Sequence, residues 1–314
     1  MKGQIGIYQG IQQFANSQFD ILAHLDLNIY QITDNEELNI LKSSLSQCYE
    51  IQVLKLSIQQ IKQDQIKLLF EDLPSYKNLK KLLIEFLYNI QQKGASQIAQ
   101  FLKNQSNLTS LMLKLNNNYI QAKGVSELIE SINGMKYLEC LKIQLGQNQI
   151  GDEGAKSIAL GLSNFKNLKV LQLYLFDNQI SFEGISLIAK SLSHLTKIKK
   201  LGISLLRNQI DDEGALAISE GLSSCKNLTY LKLFLECEKI SEKGFLIIDQ
   251  CISSLRNLIQ LDCYLTKNSN LLKSKEILNC KNIKVLKIAF EMGVYQEKKK
   301  HQQQILKIKR LVKK

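Results

Sequence analysis

The chain has 314 residues, 45% hydrophobic and 22% charged, a globular balance that excludes wholesale disorder. Length alone would suggest two domains. The net charge of +12, from 41 Lys+Arg against 29 Asp+Glu, raises an acidic partner: nucleic acid, an anionic membrane or an acidic protein. A single proline argues against proline-rich linkers.

In chain order, residues 1–21 come first. MKGQIGIYQGIQQF has no apolar core and no small-residue cleavage site, so it does not read as a secretory signal. These residues are expected to form an N-terminal cap. From Leu22 the sequence repeats. Copies begin at Leu22, Ile51 and Leu79, then at Leu108, Leu138, Leu168, Ile198, Leu228 and Leu258, the last six spaced by 30 residues. A shortened copy begins at Ile283, 25 after Leu258. About ten copies fill residues 22–292.

Each copy changes period once. In LKVLQLYLFDNQISFEGISLIAKSLSHLTK, Leu171, Leu173 and Leu175 lie two apart, the spacing of a strand. Ile185, Ile188 and Leu192 then follow at helical spacing. A glycine recurs ahead of the helix (Gly94, Gly124, Gly154, Gly184, Gly214, Gly244), where unusual φ/ψ or close packing would require it. An asparagine recurs after the strand (Asn89, Asn118, Asn148, Asn178, Asn208, Asn268), placed to bond turn backbone from copy to copy.

The pattern LxxLxLxLxxNxI…GAxxIAxxL resembles the leucine-rich repeat family, in its ribonuclease-inhibitor-like class, which also builds the Ran GTPase-activating protein. The resemblance implies an α/β solenoid, a horseshoe with a parallel sheet on the concave face and helices on the convex face. One departure is an extra leucine before the asparagine, as in Leu175 before Asn178, which predicts a longer strand. Stacked repeats share one continuous core, so the two-domain prior falls away. The activator's role in GTP hydrolysis would follow by analogy of fold alone.

Chemical motifs are not found. His24, His194 and His301 are scattered, and no C-x-x-C, H-E-x-x-H, Walker A or G-x-S-x-G pattern occurs. GDEGAK at 151–156 looks like a phosphate loop but recurs as DDEGAL at 211–216. No catalytic residue, cofactor or metal site is therefore expected. The seven cysteines read as reduced thiols filling repeat slots, which places the chain inside the cell, in the cytoplasm or the nucleus. No run of about 18 apolar residues predicts a membrane span.

What remains is binding surface. Residues alternating with the strand leucines point outward on the concave face. There Tyr174, Phe234 and Tyr264 share one lane, with Lys142, Lys200, Tyr230 and Lys232 in the neighbouring lanes. Aromatics flanked by lysines have the composition of a protein-binding hot spot. A non-enzymatic scaffold is expected, one copy of the chain holding a protein partner. No motif of a known RNA-binding module appears.

Residues 293–314 differ from the rest, with eight Lys/Arg and one Glu, a net of +7. Ile305, Ile308, Leu311 and Val312 fall at helical spacing. Three readings stay open: a helix capping the last repeat, a basic amphipathic element that binds a partner, nucleic acid or anionic surface through Lys298, Lys299, Lys300, Lys307, Lys309 and Arg310, or a nuclear-import cluster.

Overall fold

The computed structural model describes residues 4–71, 73–235, 239–265 and 280–290, with backbone alone at 264–265 and 288–290. In chain order the first elements are β1 (Gln4–Tyr8), α1 (Ile11–Ala15), β2 (Leu22–Gln31), α2 (Asn35–Ser46), β3 (Val53–Gln60), α3 (Gln63–Glu71), β4 (Lys81–Phe86) and α4 (Gln91–Lys103). The regular copies supply β5 (Ser110–Lys114), α5 (Gln121–Ile132), β6 (Cys140–Gln144), α6 (Gly151–Leu162), β7 (Val170–Tyr174), α7 (Phe182–Leu192), β8 (Lys200–Ser204) and α8 (Asp212–Ser223). Then come β9 (Tyr230–Leu235), α9 (Glu242–Ser254), β10 (Gln260–Leu265) and β11 (Val285–Phe290).

The eleven strands among the described residues form one parallel sheet in sequence order. Each copy pairs only with its neighbours, and the strand leucines meet in register, as Leu171↔Leu201 and Leu201↔Leu231 do. The inward residues and the apolar helix faces merge into one core running from Ile11 to Leu286. Packed helices need about 8–10 Å between axes whereas strands need about 4.8 Å. A sheet backed by helices one-for-one must therefore curve with the strands inside. Residues 4–15 join this architecture: β1 pairs with β2, and Phe14 of α1 is fully buried against Tyr8 and Phe19. None of the described helices is long and apolar enough to cross a membrane.

The recurrent asparagine does what its position suggested. Asn148 Oδ1 accepts from the backbone N–H of Asn118 and Ile120, both at 3.1 Å, and its Nδ2 donates to the Leu115 and Gly146 carbonyls at 2.8 and 3.0 Å. Asn178 and Asn208 repeat the arrangement one and two copies later. Asn118, Asn148 and Asn178 are completely buried, so each bond replaces one that water cannot make. Asn89 is a correction to the expected series. It is exposed with φ 66°, one residue out of step, and its Oδ1 accepts from the Gln91 side chain at 3.0 Å rather than from backbone of the preceding copy. Asn268 lies outside the described residues.

The glycines act by close packing rather than by φ. Gly184 and Gly244 begin the helical turns of α7 and α9, where a Cβ would stand 2.3 Å from Asp152 Oδ1 and Asp212 Oδ1 respectively. The positive φ values fall instead in the turns before the helices, at Asn117, Tyr119 and Gln121 and again at Gln147, Gln149 and Gly151. The extra leucine lengthens the ladder by only one bond. β7 ends at Tyr174, and the buried Leu175 still donates to Ser204 O at 2.8 Å before the asparagine turn begins.

A second, longer period appears in the helix starts. Asp152 in the first turn of α6 reaches the next copy, accepting from Ser181 N–H at 2.8 Å and Ser181 Oγ at 2.7 Å. Asp212 of α8 does the same to Ser241, at 2.8 and 2.6 Å. Ser181 and Ser241 are the N-caps of α7 and α9. Helices α6/α7 and α8/α9 are thus tied in pairs, two copies at a time.

Candidate interaction surface

The strand registers fix three outward lanes across the sheet. One runs Lys142, Gln172, Gly202, Lys232, Asp262, Lys287 over β6 to β11. The next runs Gln144, Tyr174, Ser204, Phe234, Tyr264 over β6 to β10. The third holds Cys140, Val170, Lys200, Tyr230 and Gln260 on the same strands.

Two small residues organise this region. β8 presents Gly202 and Ser204 between the larger side chains of β7 and β9. Tyr174 and Phe234, two strands apart, lean over the dip and meet edge-to-face with ring centroids 5.8 Å apart. Ser204 beneath them is only 4% exposed. Lys232 closes the cluster, its Nζ 4.7 Å from the Phe234 centroid and 5.9 Å from the Tyr174 centroid, a favourable placement of cation on ring face. Burial holds the Lys232 ammonium below the ordinary lysine value, Asp262 pulls it back up and Lys287 pushes it down again. Both rings stay partly exposed, so they serve as cover for β8 and as surface at once.

Asp262 is the acidic residue in these lanes, and its oxygens are occupied. Tyr230 Oη donates to Oδ2 at 2.8 Å and Gln260 Nε2 to Oδ1 at 3.1 Å, and the residue is 7% exposed. Lys142 is half-buried and Lys200 exposed. Neither has a carboxylate partner among the described residues.

Of the residues expected from sequence, Tyr174, Lys232 and Phe234 come into direct contact, and Lys200 and Tyr230 sit side by side on β8 and β9. Lys142 stands apart on β6. Tyr264 is placed by its backbone pairing with Phe234. Lys298, Lys299, Lys300, Lys307, Lys309 and Arg310 lie outside the described residues. Sequence reasoning missed the dip at Gly202 and Ser204 and the hydrogen bonds that Tyr230 and Gln260 give Asp262. The available signal was two small outward residues on one strand with an aromatic on each side.

The thiols pack. Cys48 and Cys225 are buried two residues after the ends of α2 and α8, their Sγ donating to the carbonyls of Ser44 and Gly221. Burial pushes both up to about 12 and Cys251 to about 11, so they stay protonated at neutral pH. Among the described residues no His/Cys/Asp/Glu group is arranged to hold a metal.

A family model described as Leucine Rich repeat matches residues 137–159 and 203–219, the β6–α6 copy and the turn into α8. Comparison with curated proteins finds no match. Among solved structures, the chain is similar to the actin-binding site 2 (ABS2) of leiomodin-1, at 17% identity over 50% of this chain and 89% of that one, with a TM-score of 0.37. The described strands and helices form an α/β solenoid with one parallel sheet, the fold expected of leucine-rich repeats, and the family model's two segments fall on copies of its 30-residue period.

Proposed function

We propose that the chain is a non-enzymatic scaffold that grips a protein partner with the C-terminal half of its concave sheet, β6 to β10. The Tyr174–Lys232–Phe234 cluster carries this reading. Rigid aromatics held in contact on a regular sheet lose little freedom on binding. The 30-residue strand–helix period also supports assigning the repeats to the ribonuclease-inhibitor-like class.

The test is affinity capture from native cells with the wild-type chain and with Tyr174→Ala/Phe234→Ala. A partner held by the wild type and lost with the double variant, while circular dichroism stays unchanged, supports the reading. A partner retained by a folded double variant contradicts it.

A further inference from the structure

Charge is divided between the two rims of the solenoid. Eight connections lead from a helix to the next strand, at 75–81, 104–110, 134–140, 164–170, 194–200, 224–230, 255–260 and 280–285. Together they hold thirteen Lys/Arg against Glu139 alone. All thirteen except Lys169 are exposed, and Lys169 is ion-paired to Glu139 at 2.6 Å. The opposite rim is acidic: the turns at 145–153, 175–183 and 205–213 hold seven Asp/Glu and one Arg. The 12 residues of α6 set the rims about 18 Å apart. Backbone bonds hold the basic rim in place. The N–H groups of Thr109, Glu139, Lys169, Lys199, Thr229 and Ile259 each donate to the carbonyl one copy earlier, at 2.8–2.9 Å. The side chains of Asn107, Asn167 and Asn257 hold the Lys77, Lys136 and Lys226 carbonyls at 2.8–3.0 Å. Helices α4 to α9 end on this rim, and their macrodipoles add about 3 negative charges, far short of the lysine excess.

We propose that this rim docks the chain on an anionic lipid bilayer. Its cations are spread over eight copies, so a small acidic ligand meets few of them and an extended surface meets many. All but Arg256 are lysines, point charges suited to diffuse attraction rather than to the fork-like recognition that Arg gives. Nucleic acid fits less well. Single strands are bound by cations interleaved with stacking rings, and Tyr137 is the one exposed ring in these segments. Beside Lys284 stand the exposed aliphatics Ile259 and Val285, which a headgroup layer covers and a phosphate backbone does not. The acidic rim then faces away from the leaflet, which orients the molecule and leaves the concave sheet uncovered. The inference is independent of the scaffold reading.

The experiment is co-sedimentation of the full chain with vesicles of phosphatidylcholine and phosphatidylserine, beside vesicles of phosphatidylcholine alone. Each cation near an anionic leaflet is worth about fivefold in partitioning. Wild type is expected to bind the anionic vesicles only, and less as salt is raised. Lys136→Glu/Lys199→Glu/Lys226→Glu should weaken partitioning by about tenfold or more. Lys62→Glu/Lys93→Glu/Lys123→Glu, on the opposite rim, makes the same change in net charge and should cost less than about threefold. All six side chains are exposed, and circular dichroism checks that both variants fold. The milder Lys136→Gln/Lys199→Gln/Lys226→Gln should give a smaller loss in the same direction. Equal losses from the two Glu variants would trace binding to net charge or to another segment and overturn the rim. Wild type that ignores anionic vesicles overturns it as well, and so does rim-dependent binding to a DNA oligonucleotide with none to vesicles.

Discussion

The two halves of the outward sheet face share a backbone and differ in how their side chains are used. Over β2 to β5 the charges neutralise one another from strand to strand: Lys55 meets Asp26 at 2.7 Å, and Lys114 meets Glu85 at 3.3 Å, with Ser57 also donating to Glu85. Over β6 to β10 the lysines outnumber the acids, small residues open a dip on β8, and aromatics lean across it. The leucines beneath are equally buried in both halves. The repeat therefore builds the scaffold, and departures from it in the outward lanes set one half aside for contact.

That comparison assumes a scaffold common to both halves, held by the asparagine ladder rather than by surface pairs. The largest effect should come from breaking it. Asn148→Ala strands the buried N–H groups of Asn118 and Ile120 and the Leu115 carbonyl, and should cost on the order of 3–5 kcal/mol in chemical denaturation. A loss below about 1 kcal/mol would show that water replaces the side chain. Asp212→Ala removes a bridge between paired helices and should cost about 1 kcal/mol. Its bonds from Ser241 hold the Asp212 carboxyl below its ordinary 3.8, so this contribution is present above that pH and is lost as acid protonates the native carboxylate. Wild type and variant should converge in strongly acidic denaturation series; a constant gap would contradict the assignment.

The smaller effects separate the halves. Lys55→Ala deletes an exposed ion pair and should change stability by about 0–1 kcal/mol, shrinking with salt. Lys232→Met should leave stability unchanged or slightly raised at neutral pH. The depressed native value means the charge opposes folding, an opposition relieved as pH rises from that value through the ordinary 10.5. A clear loss of stability at neutral pH would make Lys232 a structural residue instead of one kept for contact.

Most of the fold was legible in the sequence because a repeat states each structural decision several times. Strand leucines, helix faces and the asparagine at 118, 148, 178 and 208 all emerged from the 30-residue alignment. The same habit misplaced Asn89, where a 29-residue spacing shifts the turn by one residue. It also hid the pairing of α6 with α7 and α8 with α9, since Asp152/Ser181 and Asp212/Ser241 recur only every second copy. The site was half legible. Outward positions could be counted from strand periodicity, but which rings meet depends on what they lean over. Gly202 and Ser204 carry no chemistry of their own, and their effect exists only once β7 and β9 flank them.

The most direct test of the central claim is the affinity of a captured partner for two variants of equal stability. Tyr174→Ala/Phe234→Ala should weaken binding about 100-fold, or about 2.7 kcal/mol, whereas Lys55→Ala/Lys114→Ala on the opposite half should change it less than about threefold. Equal losses from the two variants, or a loss confined to the second, would contradict the division of the sheet into scaffold and contact halves.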